Sequence, residues 1–208
     1  MLISDSHQFV FVHIRKAAGT SLRQILEKVS LPKNNNLWHK LLSRNGFPVS
    51  YHQFSFRKHS NLVEAERSMP ADRFNQYFKF AIVRNPWDRL VSEYEYIKTQ
   101  PTHSRHKKLH VMNFTEFVGY QAKRPAAHQV NALQLKNGEM GMDYIGKLET
   151  LDESLAFVGE KIGLSFAEIP HINQVKRRDY RSYYNDSLTE QVAQLWAADI
   201  HTFDYQFE

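Results

Sequence analysis

Cysteine is absent from this chain of 208 residues. Disulfides, thiolate zinc sites and cysteine nucleophiles are therefore excluded, so any chemistry must use other side chains. Long apolar runs are absent too, because no stretch approaches the ~20 residues that a membrane-spanning helix needs. The apolar run at residues 9–12 lacks both the basic leader and the length of a signal sequence. We therefore expect a cytoplasmic protein with no membrane span.

Internal repeats and low-complexity tracts are lacking as well, and the composition is that of a globular protein. Hydrophobic residues make up 42 %, aromatic residues 13 % and charged residues 24 % of the chain. These values argue against disorder and against a fibrous repeat. A chain of this length buries roughly 70 % of the surface that its unfolded form exposes. We predict a single domain over residues 1–208.

Basic residues outnumber acidic ones, with 27 Lys and Arg against 22 Asp and Glu. The resulting net charge of +5 suits a nucleic acid, a polyanionic substrate or a phosphorylated cofactor. A basic nucleic-acid-binding protein is therefore one alternative function. The sequence has no recognisable recognition helix, RNA-binding aromatic motif or zinc finger, so we expect no nucleic-acid partner.

Two strand-to-helix junctions organise the predicted fold. Residues 8–14 are rich in β-forming side chains and lead into a polar loop. A helix is predicted after this loop, because apolar residues recur with helical spacing at Leu22, Ile25, Leu26 and Val29. Residues 78–83 form a second β-rich run, and Asn85 and Pro86 after it suit the N-cap and the first residue of a helix.

The other predicted elements complete an α/β pattern. Strands are expected at residues 51–56 and 143–148, and short helices at residues 37–42 and 60–67. Pairs with capping-box spacing predict three later helices, at Asn113 with Glu116, Thr150 with Glu153, and Ser187 with Glu190. Strands separated by helices imply a mainly parallel sheet covered on both faces. The expected fold class is therefore a three-layer α/β fold.

The first junction has the composition of an anion-binding loop. Ligands of open parallel sheets lie at the carboxyl ends of the strands, where helix N-termini present N–H groups to anions. Cationic, small and hydroxyl residues between strand and helix would form a backbone nest for an anion. The loop consists of His13, Ile14, Arg15, Lys16, Ala17, Ala18, Gly19, Thr20 and Ser21.

This loop differs from the phosphate loop of ATP-binding proteins, in which the lysine follows the last glycine. Here Lys16 precedes Gly19, and the strand ending at Val83 is followed by Arg84 and not by the aspartate that holds Mg²⁺ in such proteins. A degenerate nucleotide kinase remains a second alternative. Arg84 can bind a phosphate directly, without a metal.

Two segments resemble the nucleotide-binding motifs of sulfotransferases that use 3′-phosphoadenosine 5′-phosphosulfate (PAPS). Residues 11–21 are similar to the loop that binds the 5′-phosphosulfate, and residues 80–92 to the segment that binds the 3′-phosphate. The most similar group includes carbohydrate sulfotransferases and many bacterial members. Weaker similarity covers residues 144–149, 169–173 and 199–205, and Arg15 stands where family members commonly have proline. The resemblance implies the P-loop-like sulfotransferase fold and transfer of a sulfuryl group from PAPS to a hydroxyl.

The resemblance also implies roles for individual residues. Lys16 would stabilise the charge that builds on the bridging oxygen of the leaving 5′-phosphate. Arg84 and Ser92 would bind the 3′-phosphate, and no metal would be required. The 5′-phosphate would be held by the loop residues Arg15, Lys16, Ala17, Ala18, Gly19, Thr20 and Ser21.

A general base must accept the proton of the acceptor hydroxyl, and histidine suits this role at neutral pH. His52 lies near the start of the predicted strand at residues 51–56, and His59 lies just after its end. Both are in the region where carbohydrate sulfotransferases of this family place their catalytic histidine. We prefer His59, because it lies where this strand gives way to a helix and should face the same sheet end as the two motifs. The expected acceptor is a carbohydrate or polysaccharide.

Overall fold

The computed structural model describes residues 1–17, 19–32, 36–45, 50–53, 56–166 and 178–208. The chain divides into two compact units, each built from two sequence segments. One unit comprises Met1–Val83 and Asn131–Pro170, and the other comprises Arg84–Val130 and His171–Glu208. A single domain over the whole chain stays a prediction.

A four-stranded sheet in the order β1-β2-β3-β4 lies in the first unit. Its strands are β1 (Leu2–Ser4), β2 (Phe9–Val12), β3 (Phe78–Val83) and β4 (Tyr144–Lys147). Strand β1 is antiparallel to β2, whereas β2, β3 and β4 are parallel to one another. The mainly parallel sheet expected from the sequence is confirmed.

Helices follow or separate the strands in the expected alternation. They are α1 (Gly19–Leu26), α2 (Leu37–Arg44), α3 (Leu62–Ser68), α4 (Ala71–Gln76), α5 (Pro86–Thr99), α6 (His106–Leu109), α7 (Phe114–Ala122), α8 (Val130–Leu133), α9 (Leu151–Ile162), α10 (Asp186–Leu195) and α11 (Ala197–Phe203).

One face of the sheet carries the aromatic core of the first unit. The ring of Phe80 lies 5.8 Å from that of Phe9 and 5.1 Å from that of Phe11, measured between ring centroids. Apolar side chains of α1 and α9 pack on the same cluster, among them Leu22, Leu26, Leu155, Val158 and Ile162. Burial of these side chains outweighs the modest helix propensity of the short α1 segment.

The opposite face is covered by α4. Lys79 neighbours Phe80 in β3, so its side chain points to the other side of the sheet. Its Nζ donates to the carbonyl oxygen of Tyr77 at 2.9 Å and lies 5.5 Å from the ring centroid of Phe74. A contact of 2.9 Å with Asp143 compensates the charge of this buried lysine. Helices therefore cover both faces, which confirms the three-layer arrangement.

The second unit is helical and packs around aromatic side chains. Tyr94 of α5 lies 5.3 Å from Phe114 and from Phe117 of α7, measured between ring centroids. Trp87 Nε1 donates to the carbonyl oxygen of Thr189 in α10 at 3.2 Å, so the first turn of α5 is held to α10.

Two strand predictions differ from the structure. The sequence analysis missed β1, which is only three residues long and pairs with β2 through the turn at residues 5–8. The predicted strand at residues 51–56 is wrong in its described part, because residues 51–53 form a turn and Phe56 is not in a strand. Residues 54 and 55 lie outside the described part. The alternation of apolar and polar residues that predicted this strand is therefore not accompanied by ladder pairing at residues 51–53 and 56.

The capping predictions differ in outcome. Asn113 and Glu116 form the expected capping box at α7, with both side-chain bonds at 2.9 Å. Thr150 precedes α9 as predicted, but its side chain makes no cap bond. Helix α10 begins before Ser187, because Asn185 caps it by accepting from the N–H of Leu188.

The capping box at α7 yields a test of the local fold. Asn113→Ala leaves the N–H of Glu116 in the first turn of α7 without its side-chain acceptor, so we expect the free energy of unfolding to fall by about 1 kcal/mol. Thr150→Ala is the matched control, because the Thr150 side chain makes no cap bond. Urea denaturation of both variants measures the difference, and an equal loss in the two would contradict the assignment.

Candidate functional site

One residue of the loop between β2 and α1 has a backbone conformation that occurs in anion nests. Lys16 has a φ of 63°, in the left-handed region that a residue with a side chain rarely adopts. Such a residue alternates the direction of neighbouring N–H groups and makes a concavity for an anion. Ala17 is buried after it, and α1 begins at Gly19. Ala18 lies outside the described residues, and Thr20 and Ser21 lie in the first turn of α1.

The imidazole of His13 occupies the space that a side chain at residue 19 would need. A Cβ atom on Gly19 would lie 1.9 Å from His13 Nε2, which no real contact allows. His13 is buried and lies parallel to Phe11, with a centroid distance of 6.0 Å. Glycine at position 19 is therefore required by close packing against His13, and the histidine shapes the loop from below.

His59 lies directly against His13. Their ring centroids are 4.7 Å apart, and His59 Nδ1 lies 3.1 Å from the carbonyl oxygen of His13. Because a carbonyl oxygen only accepts, Nδ1 of His59 carries the hydrogen and Nε2 is the acceptor nitrogen in the neutral ring. The preceding backbone is held by the Met1 nitrogen, which donates to the carbonyl oxygens of Arg57 and Lys58 at 2.9 and 2.8 Å.

Both histidines are held neutral. Desolvation of the buried ring is the main cause that lowers the pKa of His13 from 6.5 to about 2, and the charge of a protonated His59 is the second cause. Desolvation likewise lowers the pKa of His59 from 6.5 to about 4; its bond to His13 works in the opposite direction, and Arg15 and Lys58 lower it again. Nδ1 of His13 has no hydrogen-bond partner among the described residues.

The structure places His52 elsewhere. Its Nε2 lies 2.7 Å from Asp5 Oδ2, and Asp5 follows β1 in the turn that leads into β2. Because β1 is antiparallel to β2, this turn lies at the amino end of β2. The same carboxylate accepts from the hydroxyls of Tyr51 and Tyr77. His52 therefore lies at the opposite end of the strands from His13 and His59, and the structure does not bring it together with the loop.

The second predicted segment, residues 80–92, begins within β3. Its part after the strand starts at Arg84 and belongs to the other unit. Arg84 donates from Nε and Nη2 to Asp88 Oδ2, at 2.8 and 2.7 Å. Asn85 caps α5 by accepting from the N–H of Trp87 at 3.1 Å, and Pro86 is the first helical residue, as predicted. Ser92 lies one turn beyond Asp88 on the same face of α5, because the spacing of four residues is about one helical turn.

A clamp on the backbone of Arg84 was missed by sequence reasoning. The side-chain amide of Gln129 accepts from the N–H of Arg84 at 3.0 Å and donates to its carbonyl oxygen at 2.8 Å. The N–H groups of Gln129 and Val130 donate in turn to Asp199, at 2.8 and 2.9 Å. Asp199 is completely buried. The only sequence signal was the weak family resemblance of residues 199–205, which begins at this aspartate.

Neither a metal-ligand cluster nor a membrane-spanning helix is found among the described residues. Across the described residues, no three His, Asp or Glu side chains are grouped so as to hold a metal ion. In that part of the chain, every helix is too short or too polar to cross a bilayer.

The lowered pKa values of His13 and His59 predict how stability depends on pH. Each ring is protonated in the unfolded chain near pH 6.5 but resists protonation in the folded state, so the unfolded state takes up protons first as the pH falls. We therefore expect the free energy of unfolding to fall below about pH 6.5, by at most about 1.4 kcal/mol per pH unit for each histidine.

The matched variant is His59→Gln, which retains an amide donor but no group that titrates in this range. Urea denaturation at neutral pH and at about pH 5 should show a smaller loss of stability in the variant than in the wild type. An unchanged pH dependence would mean that the His59 ring is not desolvated in the folded protein.

Comparison with known proteins places these observations in a family. The model of the sulfotransferase family matches residues 1–206. An uncharacterized protein of Archaeoglobus fulgidus is 34 % identical over 109 residues, which are 52 % of this chain and 86 % of that protein. The crystal structure of mouse sulfotransferase SULT7A1 complexed with PAP is similar at 15 % identity with a TM-score of 0.48, covering 97 % of this chain and 87 % of that one. Because the family model matches almost the whole sequence, the chain belongs to the sulfotransferase family.

Proposed function

We propose that this sulfotransferase transfers the sulfuryl group of PAPS to a hydroxyl of a carbohydrate, with Lys16 and Arg84 binding the nucleotide and His59 as general base. The observation that supports this most strongly is the packing of His59 against His13, whose ring in turn lies against Gly19. It joins a neutral imidazole to the loop that follows β2, at the carboxyl edge where parallel sheets bind ligands.

The 5′ end of the nucleotide is assigned to the loop after β2. The left-handed backbone at Lys16 and the N-terminus of α1 both offer N–H groups to an anion. Arg15, Lys16, Ala17, Ala18, Gly19, Thr20 and Ser21 form this part of the proposal. A non-glycine residue in the left-handed region costs roughly 1–2 kcal/mol, a strain that is common at functional sites.

The 3′-phosphate is assigned to Arg84 and Ser92. Strands β2 and β3 are parallel neighbours with Val12 opposite Ala81, so the strands that lead into both motifs end at the same edge of the sheet. Asp88 fixes the orientation of the Arg84 guanidinium, and a guanidinium with five N–H donors can bind a carboxylate and a phosphate together.

The reaction is an in-line displacement that resembles phosphoryl transfer. The acceptor oxygen forms a bond to sulfur while the bond from sulfur to the 5′-phosphate oxygen breaks. The electron pair of the broken bond stays on the leaving phosphate, where the Lys16 ammonium stabilises it. The acceptor proton moves to Nε2 of His59. The products are the sulfate ester and adenosine 3′,5′-bisphosphate, and no metal is needed to balance the step.

His59 suits the role of base by position and by tautomer. Its Nδ1 is committed to the carbonyl of His13, which leaves Nε2 as the atom that receives a proton. A pKa of about 4 in the protein alone makes it a weak base. The negative charges of bound PAPS would raise the pKa towards the working pH. His52 is not part of this proposal, because its Asp5 pairing lies at the other end of the strands.

The acceptor class is supported by the charge between α1 and α3. No acidic residue lies between Glu27 and Glu64, whereas this stretch contains the basic residues Lys28, Lys33, Lys40, Arg44, Arg57 and Lys58. The stretch leads directly to His59. Trp38 within it is 72 % exposed and offers an aromatic face. Cationic groups and an aromatic face suit a sugar that carries carboxylate or sulfate groups.

Ligand-induced stabilisation tests the nucleotide assignment. Adenosine 3′,5′-bisphosphate should raise the Tm in the presence of a metal chelator, because ligands of the native state stabilise by mass action. A tenfold higher concentration of ligand above its Kd adds about 1.4 kcal/mol. A response to Mg·ATP with none to adenosine 3′,5′-bisphosphate would favour the nucleotide kinase. Salt-sensitive DNA retention that nucleotide leaves unchanged would favour the nucleic-acid-binding protein.

A pair of histidine variants tests the base. His59→Ala should lower kcat for sulfuryl transfer by ~100-fold or more, the usual contribution of general-base catalysis, while the Kd for adenosine 3′,5′-bisphosphate changes little. His52→Ala is the matched control and should retain kcat. Loss of kcat in His52→Ala with full activity in His59→Ala would reverse the assignment and leave the nucleotide site intact.

A further inference from the structure

We infer that Gln129 is a positioning residue that sets the specificity for the 3′-phosphate through the backbone of Arg84. The inference rests on the proposed role of Arg84. It extends that role to a residue of another segment, which approaches the nucleotide motif through two hydrogen bonds to the main chain.

The first step concerns the backbone after β3. Strand β3 ends at Val83, so Arg84 lies just beyond the strand pairing of the sheet. The amide of Gln129 bonds to both its N–H and its C=O, as the peptide group of a neighbouring strand would. A buried amide left without partners is destabilising, so the clamp opposes rotation of this peptide.

The second step concerns the rigidity of the clamp itself. Gln129 is 2 % exposed, and its own backbone N–H is held by the completely buried Asp199 of α11. The same carboxylate also accepts from Val130. Two charge-assisted bonds on one buried carboxylate fix the segment that carries Gln129. A chain of defined contacts thus runs from Asp199 through Gln129 to Arg84.

The third step concerns the other end of Arg84. Its guanidinium is oriented by Asp88, and Asn85 beside it is fixed by its cap bond and by donation to the carbonyl of Gln206 at 2.8 Å. Arg84 is thus held at both ends. Gln129 bonds to its main chain, and Asp88 bonds to its guanidinium. A ligand phosphate is bound tightly only when such donors are held in place before binding.

The test is the ratio of the Kd for adenosine 5′-phosphate to the Kd for adenosine 3′,5′-bisphosphate, measured by calorimetry. The two ligands differ only in the 3′-phosphate, so a change in the ratio reports on its binding site. Gln129→Met removes both bonds to Arg84, and the ratio should fall about tenfold. Gln129→Glu keeps the acceptor but loses the donor, so it should also lower the ratio. It provides the test if Gln129→Met does not fold.

Two further variants make the result decisive. Gln121→Met is the matched control, because Gln121 is also buried in the same unit but makes no bond to Arg84, and its ratio should equal that of the wild type. Arg84→Ala combined with Gln129→Met should lower the ratio no further than Arg84→Ala alone, because Gln129 acts through Arg84.

The outcomes separate this inference from the proposed function. A reduced ratio in Arg84→Ala with an unchanged ratio in both Gln129 variants would overturn the role of Gln129 and keep that of Arg84. A further loss in the double variant would also overturn it, because Gln129 would then act on the ligand by another route. An unchanged ratio in Arg84→Ala would overturn both assignments.

Discussion

The parallel pairing of β2 with β3 is the constraint on which the site depends. Val12, the last residue of β2, lies opposite Ala81, two residues before the end of β3, so both strands run to the same edge of the sheet. The aromatic contacts of Phe80 with Phe9 and Phe11 hold this pairing from one face. A slip of one residue would turn these rings to the other face, away from the apolar side chains of α1 and α9. The core thus fixes the register, and the register fixes where both motifs start.

At this edge of the sheet, close packing brings the rings of His13 and His59 together beside the loop that follows β2. Gly19 gives His13 the space to lie under the loop, and His13 gives His59 both a ring contact and a carbonyl acceptor. Each of these contacts removes imidazole from water, so the same packing that builds the loop also keeps both rings neutral. Under the proposed function, the neutral ring of His59 would accept the proton of the acceptor hydroxyl.

Much of the secondary structure was predictable from the sequence, because strong local signals coincide with the strands and helices of the fold. The β-rich run before Arg84, the cap at Asn85 and Pro86, and the capping box at Asn113 all act within a few residues. The short β1 was missed, because three residues carry too little pattern and their pairing depends on the partner strand. At residues 51–56 the error was the opposite one, a predicted strand that is not formed. An alternating pattern is present there, but residues 51–53 form a turn and Phe56 is not in a strand.

The long-range contacts of the site were beyond the reach of sequence reasoning. The separation of His52 from His59 follows from the antiparallel direction of β1, which places Asp5 and its partners at the other end of the strands. The clamp of Gln129 on Arg84 joins residues that lie 45 positions apart. The contact of His52 with Asp5 and the contact of Gln129 with Arg84 leave no periodicity or motif in the sequence, because the tertiary fold alone makes them.

The central proposal is that the loop at Lys16 binds the 5′-phosphate of adenosine 3′,5′-bisphosphate and that Arg84 binds its 3′-phosphate. A crystal structure of the protein with adenosine 3′,5′-bisphosphate tests this most directly. The account predicts the 5′-phosphate within hydrogen-bond distance of backbone N–H groups at residues 16–21 and the 3′-phosphate on the Arg84 guanidinium. A nucleotide bound in the opposite orientation, or away from either motif, would contradict it.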